Sequence, residues 1–534
     1  MEFIDNLALG FSVALSPSAL MYCAIGVTVG MFIGVLPGIG PIATVGMLLP
    51  ITFHLRPTEA LIMLAGIYYG AMYGGSITSI LLRLPGDASS AVTVVEGYPM
   101  AQQGRAGTAL VMTTVASFFA ACVAIVVVAT LAPPLAQLAL RFQSPEYFSL
   151  MLVGLIAASV LASGSLQKGL AMAVLGLIVG VIGQDKNTGF PRFTFGLGEF
   201  YEGINFVVVV VAMFGLAEII HNAGLGDKRV AYTERVPLRA LIPSRSDLRA
   251  SFWPMVRGTG MGVLIGILPG AGPAISSFAA YAMEKHLAKD PSRFGNGAIE
   301  GLVAPEAANN ADAQTAFIPT LTLGVPGDAT TAIILGALLI HGIVPGPKIT
   351  TDAPELFWGL IASFWIGNLM LLVLNLPFVG LWVRLLSIPY RILFPCILLF
   401  SCIGVLSLNN DPFEVYVAAA FGIAGYVLLK LGCEPTPLLL GLILGPMVEE
   451  NFRRSLQLSR GDPTIFLTRP ISAVFLLTGV LLVALVVVPS FRRSGAANAP
   501  SGHQRASTDP ALPEMRPDQS GEAQTQAQKF DKGG

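Results

Sequence analysis

Gly34-Val35-Leu36-Pro37-Gly38-Ile39-Gly40-Pro41 recurs, 232 residues further on, as Gly266-Ile267-Leu268-Pro269-Gly270-Ala271-Gly272-Pro273, and both copies lie inside long apolar runs. A Pro-Gly-x-Gly-Pro core cannot continue an α-helix, because proline lacks the N–H and glycine favours non-helical backbone. In a membrane such a break bares peptide groups that protein, water or a ligand must satisfy. Two broken helices in matching positions of two halves are the pattern from which a carrier's binding site is read.

The composition supplies the membrane. The chain has 534 residues, 54% hydrophobic and 12% charged, against about 25% charged in soluble domains. With a mean hydropathy of +0.71, the expectation is an all-α polytopic membrane protein. A net charge of −1 gives no basic field and no reason to expect nucleic acid. The five cysteines (Cys23, Cys122, Cys396, Cys402, Cys433) are scattered, form no CxxC pair, and read as small buried hydrophobes. The opening Met-Glu-Phe-Ile-Asp carries two acids and no base, unlike the n-region of a cleavable signal peptide. The first apolar segment is therefore expected to stay.

A spanning helix needs roughly 20 apolar residues. Candidates run near 11–36, 59–82, 107–132, 147–164, 169–184 and 204–223, then 257–268, 314–343, 355–383, 391–408, 413–430 and 471–490, about 12 transmembrane helices. The shorter pieces 41–55 and 273–283 read as re-entrant arms completing broken hairpins; 435–448 is a third short piece. The domain reading is a first membrane repeat over 1–223, a basic linker over 224–256, a second repeat with C-terminal spans over 257–490, and a disordered tail over 491–534. Lys228, Arg229, Arg235, Arg239, Arg245, Arg249 and Arg257 make the centre cytoplasmic by the positive-inside rule. Arg453, Arg454, Arg460 and Arg469 before the last span and Arg492 and Arg493 after it conflict, so the side of the C-terminus stays open.

A second motif pair follows the first in the same order: Leu84-Pro85-Gly86-Asp87-Ala88-Ser89-Ser90-Ala91 and Val325-Pro326-Gly327-Asp328-Ala329-Thr330-Thr331-Ala332, offset by 241. The polar insert Lys285–Asn296 can absorb the nine-residue difference. No basic residue precedes the first copy, whereas strongly basic sequence precedes the second, as expected of halves inverted in the membrane.

In the first pair, Pro37, Gly38, Gly40 and Pro41 and their counterparts Pro269, Gly270, Gly272 and Pro273 permit close backbone approach and place proline at a helix start. The freed N–H groups suit a carboxylate, and Thr44, Ser276 and Ser277 add hydroxyls. The plainer reading is a packed kink. In the second pair, Asp87 and Asp328, with Ser89 and Thr330, fit either a helix N-cap or ligands for a coupling cation or proton. A charge there costs about 2.5–3.5 kcal/mol on insertion scales. Arg83 can pair with Asp87 or grip a substrate carboxylate. The run Pro305–Asp312, with Asn309 and Asn310, is either a polar surface loop or one wall of an asymmetric pocket. Glu96, Glu218, Asn368, Asn375 and Arg384 mark helix ends or interhelical bonds, and no histidine shows a metal pattern.

These motifs, with Tyr73-Gly74-Gly75-Ser76-Ile77-Thr78-Ser79-Ile80-Leu81, Glu96-Gly97-Tyr98-Pro99-Met100-Ala101 and Pro305-Glu306-Ala307-Ala308-Asn309-Asn310-Ala311, resemble the large permease subunit, TctA family, of the tripartite tricarboxylate transporters across residues 10–490. The resemblance implies a secondary transporter of the bacterial inner membrane importing citrate-like carboxylates, a small four-span membrane subunit, and a periplasmic solute-binding protein. It implies Na⁺ or H⁺ as the driving ion and no cofactor; the chain has no Walker A pattern. An organic-anion channel using the same helix ends is the first rival. A membrane-embedded enzyme is the second, although no Ser/His/Asp or HExxH arrangement stands in the spans.

Overall fold

The computed structural model describes residues 2–36, 39–161, 165–185, 188–217, 220–221, 242–385 and 390–497. Met1–Val486 form one compact unit; Val487–Gly534 form a second, whose described part is helical to Ala497. The described residues are mostly helical, with one two-stranded hairpin, β1 (Gly183–Gln184) and β2 (Pro191–Arg192).

The first half contains α1 (Glu2–Ala14), α2 (Pro17–Gly34), α3 (Pro41–Leu48), α4 (Pro57–Leu82), α5 (Ala91–Met100), α6 (Ala106–Ala139), α7 (Ser144–Leu161), α8 (Leu166–Gly180) and α9 (Phe206–Val210). The second contains α10 (Arg245–Gly266), α11 (Gly272–Leu287), α12 (Ile299–Thr315), α13 (Phe317–Leu323), α14 (Ala329–Ile340), α15 (Pro354–Leu385), α16 (Tyr390–Asn409), α17 (Pro412–Lys430), α18 (Thr436–Leu458) and α19 (Pro470–Ala497). Proline at the first turn starts α2, α3, α4, α11 and α17, where its missing N–H costs nothing. Ser244 and Asp247 form a reciprocal cap on α10.

The repeat is physical as well as textual. Gly26, Gly30 and Gly34 of α2 lie so close to the backbone of Met63, Ile67 and Ala71 of α4 that no Cβ fits. Gly258, Gly262 and Gly266 of α10 meet Ala304, Ala308 and Asp312 of α12 in the same way. The glycines repeat at 232 and their partners at 241, the two offsets already set by the motifs. Small residues every fourth position let backbones touch, a common way to join helices in lipid. The nine extra residues lie between the glycine helix and its partner, where α11 is longer than α3 and a loop containing Asn296 follows.

Five described helices are long and apolar enough to cross a membrane alone, and seven shorter apolar ones accompany them. Val126 of α6, Leu264 of α10, Val373 of α15, Ile423 of α17 and Val480 of α19 are exposed, an apolar surface suited to lipid. The chain is a multi-pass α-helical membrane protein.

Several boundaries differ from the sequence reading. The run 314–343 is not one span: it breaks into the end of α12, α13 and α14, because Pro-Gly-Asp interrupts it as Pro-Gly-x-Gly interrupts the earlier runs. Pro305–Asp312 is no surface loop; it is the buried centre of α12, polar because its partners are other side chains. The basic stretch is helical from Arg245, inside the expected linker, while 222–241 and Glu218 lie outside the described residues. α19 continues to Ala497, past the expected start of the tail; 498–534 lie outside the described residues.

Candidate functional site

Within each repeat the two motifs fold onto each other. A Cβ built on Gly40 would stand 3.2 Å from the Asp87 Cβ, and one built on Gly272 would stand 3.5 Å from the Asp328 Cβ. In the second repeat the Gly270 N–H also donates to the Gly327 carbonyl, 2.8 Å. Gly270 and Gly272 have φ of +81° and +74°, values that a residue with a Cβ rarely adopts. The Pro37-Gly38 pair lies outside the described residues.

All four motifs converge on one cavity of about 490 Å³. Gly40, Pro41, Asp87 and Ser89 line it from the first repeat, and Gly270, Gly272, Pro273, Asp328 and Thr330 from the second. The starts of α3 and α11 both open into it through Ile42, Ala43 and Ala274. The first N–H groups of a helix have no intrahelical acceptor, so two partially positive helix ends face the same space. Against them stand Asp87, Asp328 and Glu434; no lysine, arginine or histidine is among the lining residues.

The two aspartates are held differently. Asp328 caps α14: its Oδ1 accepts from the Thr331 N–H at 2.6 Å, and its backbone N–H donates to Thr331 Oγ1 at 2.9 Å. Its Oδ2 accepts from the Tyr68 hydroxyl of α4, 2.6 Å, a bond across the repeats. Asp87 caps a tighter turn, accepting from Ser89 Oγ (2.7 Å) and the Ser90 N–H (2.9 Å). Asp328 is buried and Asp87 half-buried. Asp328 is thus a helix N-cap, whereas Asp87 closes only the turn before α5, whose N-cap is Ser90; in each case one face of the motif still borders the cavity.

Other expected site residues lie elsewhere. Arg83 ends α4 in the left-handed region (φ 59°), is exposed, and places its guanidinium over the Tyr98 ring, 5.7 Å from its centroid. It neither lines the cavity nor pairs with Asp87. The Thr44 and Ser276 hydroxyls donate to the carbonyls of Gly40 and Pro273, each 2.9 Å, and are buried behind the lining. Pro269, Asn309 and Asn310 are likewise outside the lining set. Asn310 instead donates to Ser117 Oγ (2.8 Å) and Asn309 Oδ1 (2.7 Å). That network holds Glu306, whose carboxylate accepts from Ser76 Oγ (2.9 Å), from Thr93 Oγ1, and from Ser117 Oγ (3.4 Å). An acid of α12 is thereby tied to hydroxyls of α4, α5 and α6. Glu96 is a second tie: it accepts from the N–H groups of Gly295 (2.5 Å), Gly297 and Ala298 (both 2.8 Å) and from the Tyr281 hydroxyl (2.8 Å).

Tyr68, Met72, Ala158, Phe214, Glu434 and Thr436 line the cavity without having been singled out as site residues. Tyr68 had a signal, its alignment with Asn309 at the 241 offset, and Glu434 another, an acid beside prolines in Cys433-Glu434-Pro435-Thr436-Pro437. Ala158 and Phe214 sit in featureless apolar sequence and are brought in by tertiary packing alone.

The model of the "Tripartite tricarboxylate transporter TctA family" matches residues 20–440. A protein of Agrobacterium vitis, "Uncharacterized 52.8 kDa protein in TAR-I ttuC' 3'region", is 53% identical over 492 residues, 92% of this chain and 98% of its own length. A second from the same organism, "Uncharacterized protein in TAR-II ttuC' 3'region", is 56% identical over 231 residues, 43% of this chain and 96% of its own length. No solved structure matches the chain.

Proposed function

The chain belongs to the tripartite tricarboxylate transporter TctA family, and from that premise we propose that it is the permease of a cation-coupled carboxylate importer whose cargo sits in the cavity between the two repeats. The observation that carries this reading is the meeting of both helix starts and both Pro-Gly-Asp turns at that cavity. Helix N-termini suit carboxylate groups. Asp87 and Asp328 on the wall, with no lysine, arginine or histidine among its described lining residues, mean that a polycarboxylate entering alone would meet repulsion. A cation that enters with it offsets that charge, which makes Na⁺ or H⁺ part of the binding event rather than an accessory.

On this reading the protein resides in a bacterial inner membrane. A periplasmic binding protein delivers the substrate and a small membrane subunit completes the assembly. The two repeats, inverted in the bilayer, rock about the shared site. The test is uptake of a panel of radiolabelled di- and tricarboxylates by vesicles containing the full assembly, with and without imposed Na⁺ and pH gradients. Accumulation above equilibrium under one of the gradients is expected. Equilibration without accumulation would instead identify a channel.

A further inference from the structure

The motif Glu96-Gly97-Tyr98-Pro99-Met100-Ala101 and the polar insert of the second repeat both lie outside the cavity lining, and they meet each other. Glu96 is fully buried on α5. Four uncharged donors of the second repeat surround its carboxylate: the N–H groups of Gly295, Gly297 and Ala298 and the Tyr281 hydroxyl. Gly295 and Gly297 have φ of +90° and +91°, and backbone N–H groups turned inward by such residues make a nest for an anion. Gln103 adds a bond from its Nε2 to the Asn296 carbonyl, 2.9 Å. Arg105, at the foot of α6, pairs with Asp247 at the start of α10, 2.7 Å. Side chains of the first repeat therefore bridge to the second at the end of the molecule where α10 begins.

Two helices connect this bridge to the cavity. Ala91 of α5 and Ile275 of α11 line the cavity, and Glu96 and Tyr281 lie further along the same helices. At about 1.5 Å per residue the bridge stands about 8–9 Å beyond the lining. The symmetric junction is built differently. At the 241 offset Glu96 aligns with Ala337 of α14, and Ala298, before α12, aligns with Pro57, the start of α4. There the end of α14 meets the segment before α4 through the rings of Phe53 and His341, 6.3 Å between centroids, and Ala337 offers no carboxylate. Glu306 also crosses the repeats, but its donors are hydroxyls on three packed helices. Gly295 and Asn296, in contrast, are exposed, so water can replace the bonds of this loop as it parts from Glu96. We propose that Glu96 and the amides of Gly295, Gly297 and Ala298 form a latch that closes the path from the cavity to the α10 end of the molecule, and that the path opens when the loop releases Glu96. The inference rests on the alternating-access reading above and names a contact that must break in it. The insert then has a role: it gives the second repeat the loop that grips the first.

The test uses the full chain in right-side-out and inside-out vesicles, with its five native cysteines replaced and Ala274→Cys in the cavity wall as reporter. A membrane-impermeant thiosulfonate is applied to each face. Glu96→Gln keeps the size of the side chain but turns an amide N–H₂ toward the nest. Bonds to a charged acceptor are the stronger kind, so the labelling rate from the α10 face is expected to rise about tenfold, while the rate from the other face falls. Tyr281→Phe, which removes one donor of the four, should move both rates the same way by less. Hydrogen exchange at Gly295, Gly297 and Ala298 should quicken in Glu96→Gln. Glu300→Gln, paired with Arg293 at the surface, should change neither rate. Should Glu96→Gln fail to fold, Tyr281→Phe and Gln103→Ala carry the test. Rates unmoved from both faces would make Glu96 a fixed strut, and rates raised from both faces alike would mean a loosened fold; either overturns the latch, even with exchange quickened. Labelling needs no cargo, so the two readings fail separately. Carboxylates that equilibrate without accumulating would discard the coupled carrier and leave the latch standing, whereas accumulation beside unmoved labelling would discard the latch alone.

Discussion

Tyr68 and Tyr69 are neighbours on α4, both fully buried, and their hydroxyls have opposite circumstances. Tyr68 donates to Asp328 at 2.6 Å, whereas the Tyr69 hydroxyl has no partner. A hydrogen bond to a charged group contributes about 1.5–3 kcal/mol, and removing an unsatisfied buried hydroxyl is neutral or better. Tyr68→Phe should therefore destabilise the protein by about that amount and impair uptake, while Tyr69→Phe should leave stability level or slightly raised, as thermal unfolding of the pair would reveal. Asp87→Asn and Asp328→Asn should depress gradient-driven uptake more than folding, with Asp328 the more severe, since it serves helix cap, Tyr68 and cavity together; normal transport by both would remove them from coupling. At this scale the sequence exposed the residues that carry a backbone reason. Gly40, Gly272, Asp87 and Asp328 are legible because a helix break dictates them. Arg83 and Asn310 have other partners because a polar side chain in apolar sequence has two outlets, the site and a private partner, and only the fold decides between Tyr98, Ser117 and the cavity.

The helix pairs α2–α4 and α10–α12 are held by rows of glycine, and this sets how they tolerate change. A Cβ on Gly262 would meet the Ala308 backbone, whereas nothing lies within 4 Å of one on Gly260. Gly262→Leu should abolish the folded protein in membranes and Gly260→Leu should be accepted, a contrast readable from expression and monodispersity in detergent. Gly270→Val combines a positive φ of 81° with a Cβ 2.9 Å from the Ala158 N–H; it should eliminate uptake while the protein still inserts. The glycine rows were present in the sequence at the same 232 offset as the motif they precede, so the pairing could have been read from it. The break of 314–343 into three pieces was harder to read. A long hydropathic run hides a two-residue interruption, and its hydropathy does not say that Val325-Pro326-Gly327-Asp328 turns inward rather than kinking in place.

For the whole molecule, the two offsets locate both repeats and the insert inside the second, and that architecture is what brings four distant turns to one cavity. The sequence revealed the duplication and the membrane. It did not reveal the far wall, where Ala158 and Phe214 arrive from helices outside the duplicated motifs and Glu434 from the loop between α17 and α18. On the proposed function these turns line a water-filled, carboxylate-binding space inside the membrane. The most direct measurement is labelling by a hydrophilic thiol reagent of single cysteines at Ala88 and Ala274, in a chain whose five native cysteines are replaced, with Val373→Cys on the lipid-facing side of α15 as reference. Reaction is expected at 88 and 274, none at 373, and protection of the first two by citrate, or by the carboxylate found to be transported, only when Na⁺ or protons accompany it. Unreactive cysteines at 88 and 274, or labelling indifferent to every transported carboxylate, would contradict it.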